Sequence, residues 1–152
     1  MLQLLNLLSL LGIVTNFGVL LTYWNELPEK VPTHFNAAGV ANGWGGRGSL
    51  IQLPVIALAT YLIVTLAVHF GNPGNSLIAI TPENAERQKW VTLQLTAWIK
   101  TQIVWLFTFI EWQSIQVATG RAAGLGWQFL PVTLLVIFGT IGYYIWRSYQ
   151  LR

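Results

Sequence analysis

The chain contains no cysteine. That excludes disulfides, thiolate metal sites and cysteine nucleophiles together. It is also poor in charge. Asp, Glu, Lys and Arg make up 9% of its residues, where a soluble domain carries about a quarter, and the deficit argues against a water-soluble globule. The net charge is +3 with no basic run, so nucleic-acid binding has no support. Met1 is followed by Leu-Gln-Leu-Leu without a basic region, and no small-residue cleavage site follows a short apolar core, so a removable signal peptide is not expected. There is no internal repeat, no low-complexity segment, no Ser-His-Asp set, no pair of catalytic acids, no phosphate loop and no haem-attachment motif. The expectation is a non-enzymatic protein without a cofactor.

Apolar residues take the place of the missing charge, at 54% of 152 residues. They gather in four stretches, 2–24, 50–70, 90–112 and 127–146, with hardly a charge inside them. A bilayer core is about 30 Å thick, and roughly 20 apolar residues in a helix cross it. In lipid the backbone must satisfy its own hydrogen bonds, which favours helices. The sequence therefore predicts an all-α integral membrane protein. Its one domain, 1–152, holds helices near 2–24, 49–70, 82–118 and 127–147. The first is read as a retained helix that also serves targeting. Of eight Trp, Trp24, Trp44, Trp90, Trp127 and Trp146 fall at or near predicted helix ends, where amphipathic rings suit the headgroup region.

The connection at 25–49 is the longest. Pro28 and Pro32 stop helix propagation, and Asn36, Gly39, Asn42 and Gly43 favour turns. Residues 30–35 suit a short strand folding back through 36–39. Val31, Phe35, Val40 and Trp44 give this loop apolar groups to bury, so it is expected to be ordered. In the second connection, 71–89, residues 71–74 read as a turn. Thr81-Pro82-Glu83 reads as a helix start with Thr81 as cap. The third helix then begins near Pro82 and exceeds the membrane thickness. The third connection, 120–126, is short. Arg87, Lys89, Arg147 and Arg152 share the side of the N-terminus, and Lys30, Arg47 and Arg121 lie opposite. The bias places both termini inside.

Two segments resemble a known bacterial membrane family. One is Leu27-Pro-Glu-Lys-Val-Pro-Thr-His-Phe-Asn-Ala-Ala-Gly-Val-Ala-Asn-Gly-Trp-Gly-Gly-Arg47. The other is Ile80-Thr-Pro-Glu-Asn-Ala-Glu-Arg-Gln88, followed by Trp98-Ile-Lys100. Together they are similar to the domain of unknown function 1648, which is related to the N-terminal part of Sdp-type toxin-immunity proteins. The resemblance spans about residues 1–110. It implies a multi-pass protein of the bacterial plasma membrane, not an immunity function, because the C-terminal half of the larger proteins has no room here. Asn42 stands where the family usually has Asp, and Arg47 where it usually has Lys. An acid–base role at Asn42 is thereby removed.

Few groups can carry chemistry. His34, flanked by Phe35 and Asn36, reads either as a sensor or ligand contact or as a structural imidazole bonding loop carbonyls under Trp44. Asn36, Gly39, Asn42, Trp44 and Arg47 complete the candidate loop, with the two Asn read first as turn amides. A metal site would need converging donors. His34, Glu26 and Glu29 converge only if the loop folds back sharply, and His69 lies across the membrane, so no metal is expected. Glu111 and Lys100 are the ionisable groups at membrane depth. They share a face but stand about 16 Å apart along the helix axis, too far to pair. One of them should lie near an interface, with Glu111 the deeper. It reads as a cation or proton site, or as a residue reaching the outer headgroups beside Trp112. Ser9, Gly12 and Asn16 on the first helix, and Gly139 and Gly142 on the fourth, read as helix-packing stripes. Glu83, Asn84, Arg87 and Gln88 form either an inner docking surface or a solvated face.

Three roles follow. One is an outer loop that recognises a partner or ligand in sensing, protection or assembly. Another is an accessory subunit of a larger membrane complex. The third is a small ion or proton pathway through Glu111. Membrane lipids and a protein partner or second copy are the expected neighbours.

Overall fold

The computed structural model describes residues 1–70 and 78–152, and the turn expected at 71–74 lies outside the described residues. The order of elements is α1 (Leu2–Tyr23), β1 (Lys30–Phe35), β2 (Ala41–Gly46), a short 3₁₀ turn (Arg47–Ile51), α2 (Gln52–Phe70), α3 (Ala85–Ala118) and α4 (Phe129–Gln150). All four helices are long and apolar enough to cross a membrane. The fold is thus the expected all-α membrane architecture with a small hairpin between the first two helices. At about 1.5 Å per residue, α3 runs about 51 Å and outreaches the hydrocarbon layer. Leu7, Val14 and Leu21 face outward on α1, as do Val132, Leu135 and Phe138 on α4. Such faces are what lipid tails require.

α3 is the central element and packs against α1, α2, α4 and β1. Its seam with α1 is parallel and polar. The Ser9 and Thr101 hydroxyls lie 2.9 Å apart. Thr101 donates to the Leu5 carbonyl at 3.2 Å, Thr108 to the Gly12 carbonyl at 3.1 Å, and Trp105 Nε1 to the Leu8 carbonyl at 3.1 Å. Gly12 makes this approach possible. A Cβ there would stand 2.8 Å from Val104 Cγ1. Small and hydroxyl residues serve this purpose in lipid, where helices gain nothing from excluding water.

The seam of α3 with α4 is antiparallel and also polar. Gln102 donates to Thr140 at 2.7 Å, Tyr144 to Gln94 at 3.3 Å, and Ser148 to Gln88 at 2.5 Å. The contacting stripe of α4 is therefore 140, 144 and 148. Gly139 and Gly142 lie off it with open space where a Cβ would be. The packing role expected of those two glycines is corrected.

The apolar core lies at the hairpin end of the bundle. Leu20 of α1, Leu27, Val31 of β1, Leu50 and Ile115 of α3 pack together there. This cluster fixes the hairpin onto the bundle. The strands pair antiparallel, with Lys30 opposite Gly46 and Phe35 opposite Ala41, and the register is irregular around His34. The turn closes through Asn36, whose Oδ1 accepts the N–H groups of Ala38 and Val40 at 3.0 Å each. Val31 is buried as expected, but Val40 and Trp44 are more than half exposed. Alternation along β2 explains Trp44. Gly43 and Gly45 take the inner face, where a Cβ would press on His34 and on Thr33 and Ser49. Trp44 is thereby turned outward, to a depth that suits its amphipathic ring.

The start of α3 also differs from expectation. The regular helix begins at Ala85, after a turn in which the Thr81 carbonyl accepts the N–H groups of Asn84 and Ala85. The Thr81 side chain does not cap it. Asn84 instead ties the turn down, accepting from Thr81 N–H at 2.9 Å and donating to the Ala79 carbonyl at 3.1 Å. At its far end α3 stops at Gly120, where φ is +73°. Arg121 N–H reaches the Gln116 carbonyl and Gly120 N–H the Val117 carbonyl, a Schellman stop that glycine makes easy.

Candidate functional site

The hairpin is held at both ends. At its base, Arg47 N–H donates to the Glu29 carbonyl at 3.0 Å, and the Arg47 guanidinium lies 5.3 Å from the Trp24 ring centre. At its tip, Gly39 takes a φ of +75°. Its carbonyl accepts Leu125 N–H at 2.7 Å, while Val40 bridges Gly124. Gln113 Nε2 holds the Gly124 carbonyl at 2.8 Å from below. The loop after α3 therefore clamps the hairpin tip. Beside it, Arg121 pairs with Glu26 at 2.6 Å and covers the Tyr23 ring.

This clamp roofs a half-enclosed cleft of about 410 Å³. His34 and Phe35 supply one wall, Ser49 and Gln52 a second, Ile110 and Ser114 of α3 the floor, and Phe129 the far side. His34 Nδ1 lies 2.5 Å from Asn42 Oδ1. The imidazole is thus oriented by a side-chain amide rather than by loop carbonyls. A second hollow of about 490 Å³ runs between α3 and α4, lined by Trp105, Phe109, Val132 and Val136 among others. Leu125 and Phe129 line both cavities, so a polar-edged chamber adjoins an apolar groove at membrane depth.

The remaining candidates fall in two other places. Lys100 and Glu111 are both buried within the bundle. Lys100 Nζ donates to Asn6 at 2.7 Å and to Thr65 at 3.0 Å, and it lies 4.5 Å from the Tyr61 ring centre. It ties α1, α2 and α3 together. Neither carboxylate oxygen of Glu111 has a hydrogen-bond partner, and its burial excludes the outer-headgroup reading.

At the end of the bundle opposite the hairpin, Asn84 and Gln88 are buried while Glu83 and Arg87 are exposed. Gln88 Nε2 donates to the carbonyls of Ser148 and Leu151 at 3.0 and 3.1 Å, clasping the end of α4. The Thr81 hydroxyl, and then its own backbone N–H, hold the Glu83 carboxyl below the usual carboxylate range. Among the described residues, no three His, Cys, Asp or Glu side chains converge as metal ligands would.

Sequence reasoning did not single out Ser49, Gln52, Ser114 or Phe129, which come from four separate segments. Ser114 carried one usable signal. It stands one helical turn from Glu111 and on nearly the same face.

No solved structure matches the chain. An uncharacterized protein of Archaeoglobus fulgidus is 51% identical over 49 residues, covering 30% of this chain and 26% of that protein. The chain thus spans about a quarter of the length of the curated relative it matches. Over residues 11–58, which take in the second half of α1, the whole hairpin and the start of α2, the chain matches the family described as Domain of unknown function (DUF1648).

Proposed function

We propose that this protein is a non-enzymatic, multi-pass membrane domain that holds an amphiphilic ligand. The polar head lies under the hairpin beside His34, and the apolar chain lies along the groove between α3 and α4. The observation that carries this reading is the junction of the two cavities at Leu125 and Phe129. A ligand with a polar end and a hydrocarbon tail matches both linings at once. Pockets that bind small molecules commonly pair an apolar lining with a few placed polar groups. His34, fixed by Asn42, and the Ser49 and Gln52 side chains supply those groups. Recognition at this place serves sensing, protection or assembly at the outer face of the plasma membrane. The basic residues Arg87, Lys89, Arg147 and Arg152 support a cytoplasmic placement of both termini.

The test is a photoreactive amphiphile added to the protein in lipid nanodiscs. Labelling concentrates on peptides around Leu125 and Phe129. His34→Ala lowers it several-fold, of the order expected for one lost polar contact of about 1 kcal/mol. Trp44→Ala, outside both cavities, leaves it unchanged. Labelling spread evenly over the lipid faces of α1 and α4 would refute the reading.

A further inference from the structure

Asn16 and Glu111 are the two residues whose side-chain polar atoms all lie buried and unpartnered among the described residues. Both are fully inaccessible. They occupy facing stripes. On α1 the buried positions run Leu5, Ser9, Gly12, Asn16 and Leu20. On α3 they include Thr101, Val104, Thr108, Glu111 and Ile115. The register of the two helices is set by Ser9 against Thr101, hydroxyl to hydroxyl, and by Gly12 against Val104, each pair 92 positions apart. The same offset sets Asn16 level with Thr108, one helical turn from Glu111.

The carboxylate has no countercharge at this level. α1 carries no Asp, Glu, His, Lys or Arg, and its one tyrosine, Tyr23, packs edge-on against Trp112 and beneath Arg121. The titratable groups of α2 are Tyr61, engaged with Lys100, and His69, packed on Phe70 at the inner end. Lys100 itself is bonded to Asn6 and Thr65 about two to three helical turns away. Those of α4 are Tyr143, Tyr144, Arg147 and Tyr149, all in its inner half. On β1, Lys30 is exposed, and His34 faces the cleft and is bonded to Asn42. Beyond α3, Arg121 is paired with Glu26. A lone charge in such surroundings is too costly to stand uncompensated.

We propose that Glu111 and Asn16 form a site inside the membrane for one small cation, reached from the outer cleft past Ser114. The two Glu111 oxygens and Asn16 Oδ1 are the oxygens offered to the cation. Ser114 is 1% exposed, lies one turn outward from Glu111 and lines the cleft floor. It therefore joins the buried site to the outer chamber. The required chemistry is a single positive charge, carried by a proton or by an alkali cation. The site uses the cleft only as a route and does not depend on the cleft holding an amphiphile.

Infrared difference spectroscopy of the full chain in lipid nanodiscs tests this, with protons and sodium chloride as probes and choline chloride as control. A protonated-carboxyl stretch that Glu111→Gln abolishes, that shifts in D₂O and that ignores sodium identifies a bound proton. A Glu111 carboxylate signal that shifts with sodium but not with choline at fixed pH identifies an alkali cation. In either case Asn16→Leu moves the Glu111 signal. The proposal fails if that signal is a carboxylate indifferent to pH and sodium, or if it is the same in Asn16→Leu. Thermal unfolding of each variant shows that it is folded, so a lost signal is not mistaken for a lost protein.

Discussion

Gly39 shows how much one residue decides at the hairpin tip. Its φ of +75° belongs to the left-handed region, and its carbonyl receives Leu125 N–H at 2.7 Å. A Cβ there would meet the Gly126 backbone. Gly39→Ala is expected to destabilise the protein by about 1–3 kcal/mol, the usual cost of a side chain held in that region. Thermal unfolding in detergent reads the loss. Gly46→Ala, where nothing lies near a Cβ, is the neutral control, and equal melting of the two variants would remove Gly39 from the clamp. The sequence marked Gly39 as a turn former, because Asn36 and Gly39 bracket a four-residue turn. It did not show the partner of that turn. The clamp comes from Gly124 and Leu125, some 85 residues on, and no local pattern connects them. His34 was legible as the loop's titratable group, but its bond to Asn42 depends on the irregular register of the hairpin.

Among the elements, the lengths of the helices were readable and their registers were not. Apolar run length reports on hydrocarbon thickness, a property of the solvent, so it needs no knowledge of neighbours. Which face of a helix meets which neighbour is a matter of paired surfaces. Ser9, Gly12 and Asn16 were visible as a stripe, whereas Gly139 and Gly142 imitated one and have open space where a Cβ would be. The contrast supplies a test of the α1–α3 seam. Gly12→Val pushes a side chain against Val104 Cγ1, 2.8 Å from the Cβ position, and against the Trp105 ring at 3.3 Å. Val104 is fully buried and cannot yield easily. The expected cost is about 1–3 kcal/mol, as for overpacked cores generally. Gly142→Val, a site with open space, should be near neutral. A matched pair of unfolding curves decides it, and similar losses in both would mean that Gly12 is not a tight contact.

For the molecule as a whole, the absence of cysteine turns topology into a clean measurement. Four crossings put Met1 and Arg152 on the same side of the bilayer and the hairpin on the other. Trp44 on the hairpin is 53% exposed, and Gln150 near the end of α4 is also exposed. Trp44→Cys and Gln150→Cys would each carry the sole thiol of the chain. A membrane-impermeant maleimide applied to intact cells is expected to label Trp44→Cys, and to label Gln150→Cys only after lysis. Reversed labelling would keep four crossings and invert the sidedness drawn from the basic residues, moving the hairpin cleft and the route to Glu111 to the cytoplasmic face. Labelling of both thiols in intact cells would place the two sites on one side. Four crossings cannot produce that result, because α2, α3 and α4 then separate the hairpin from the end of α4 by three passages through the bilayer.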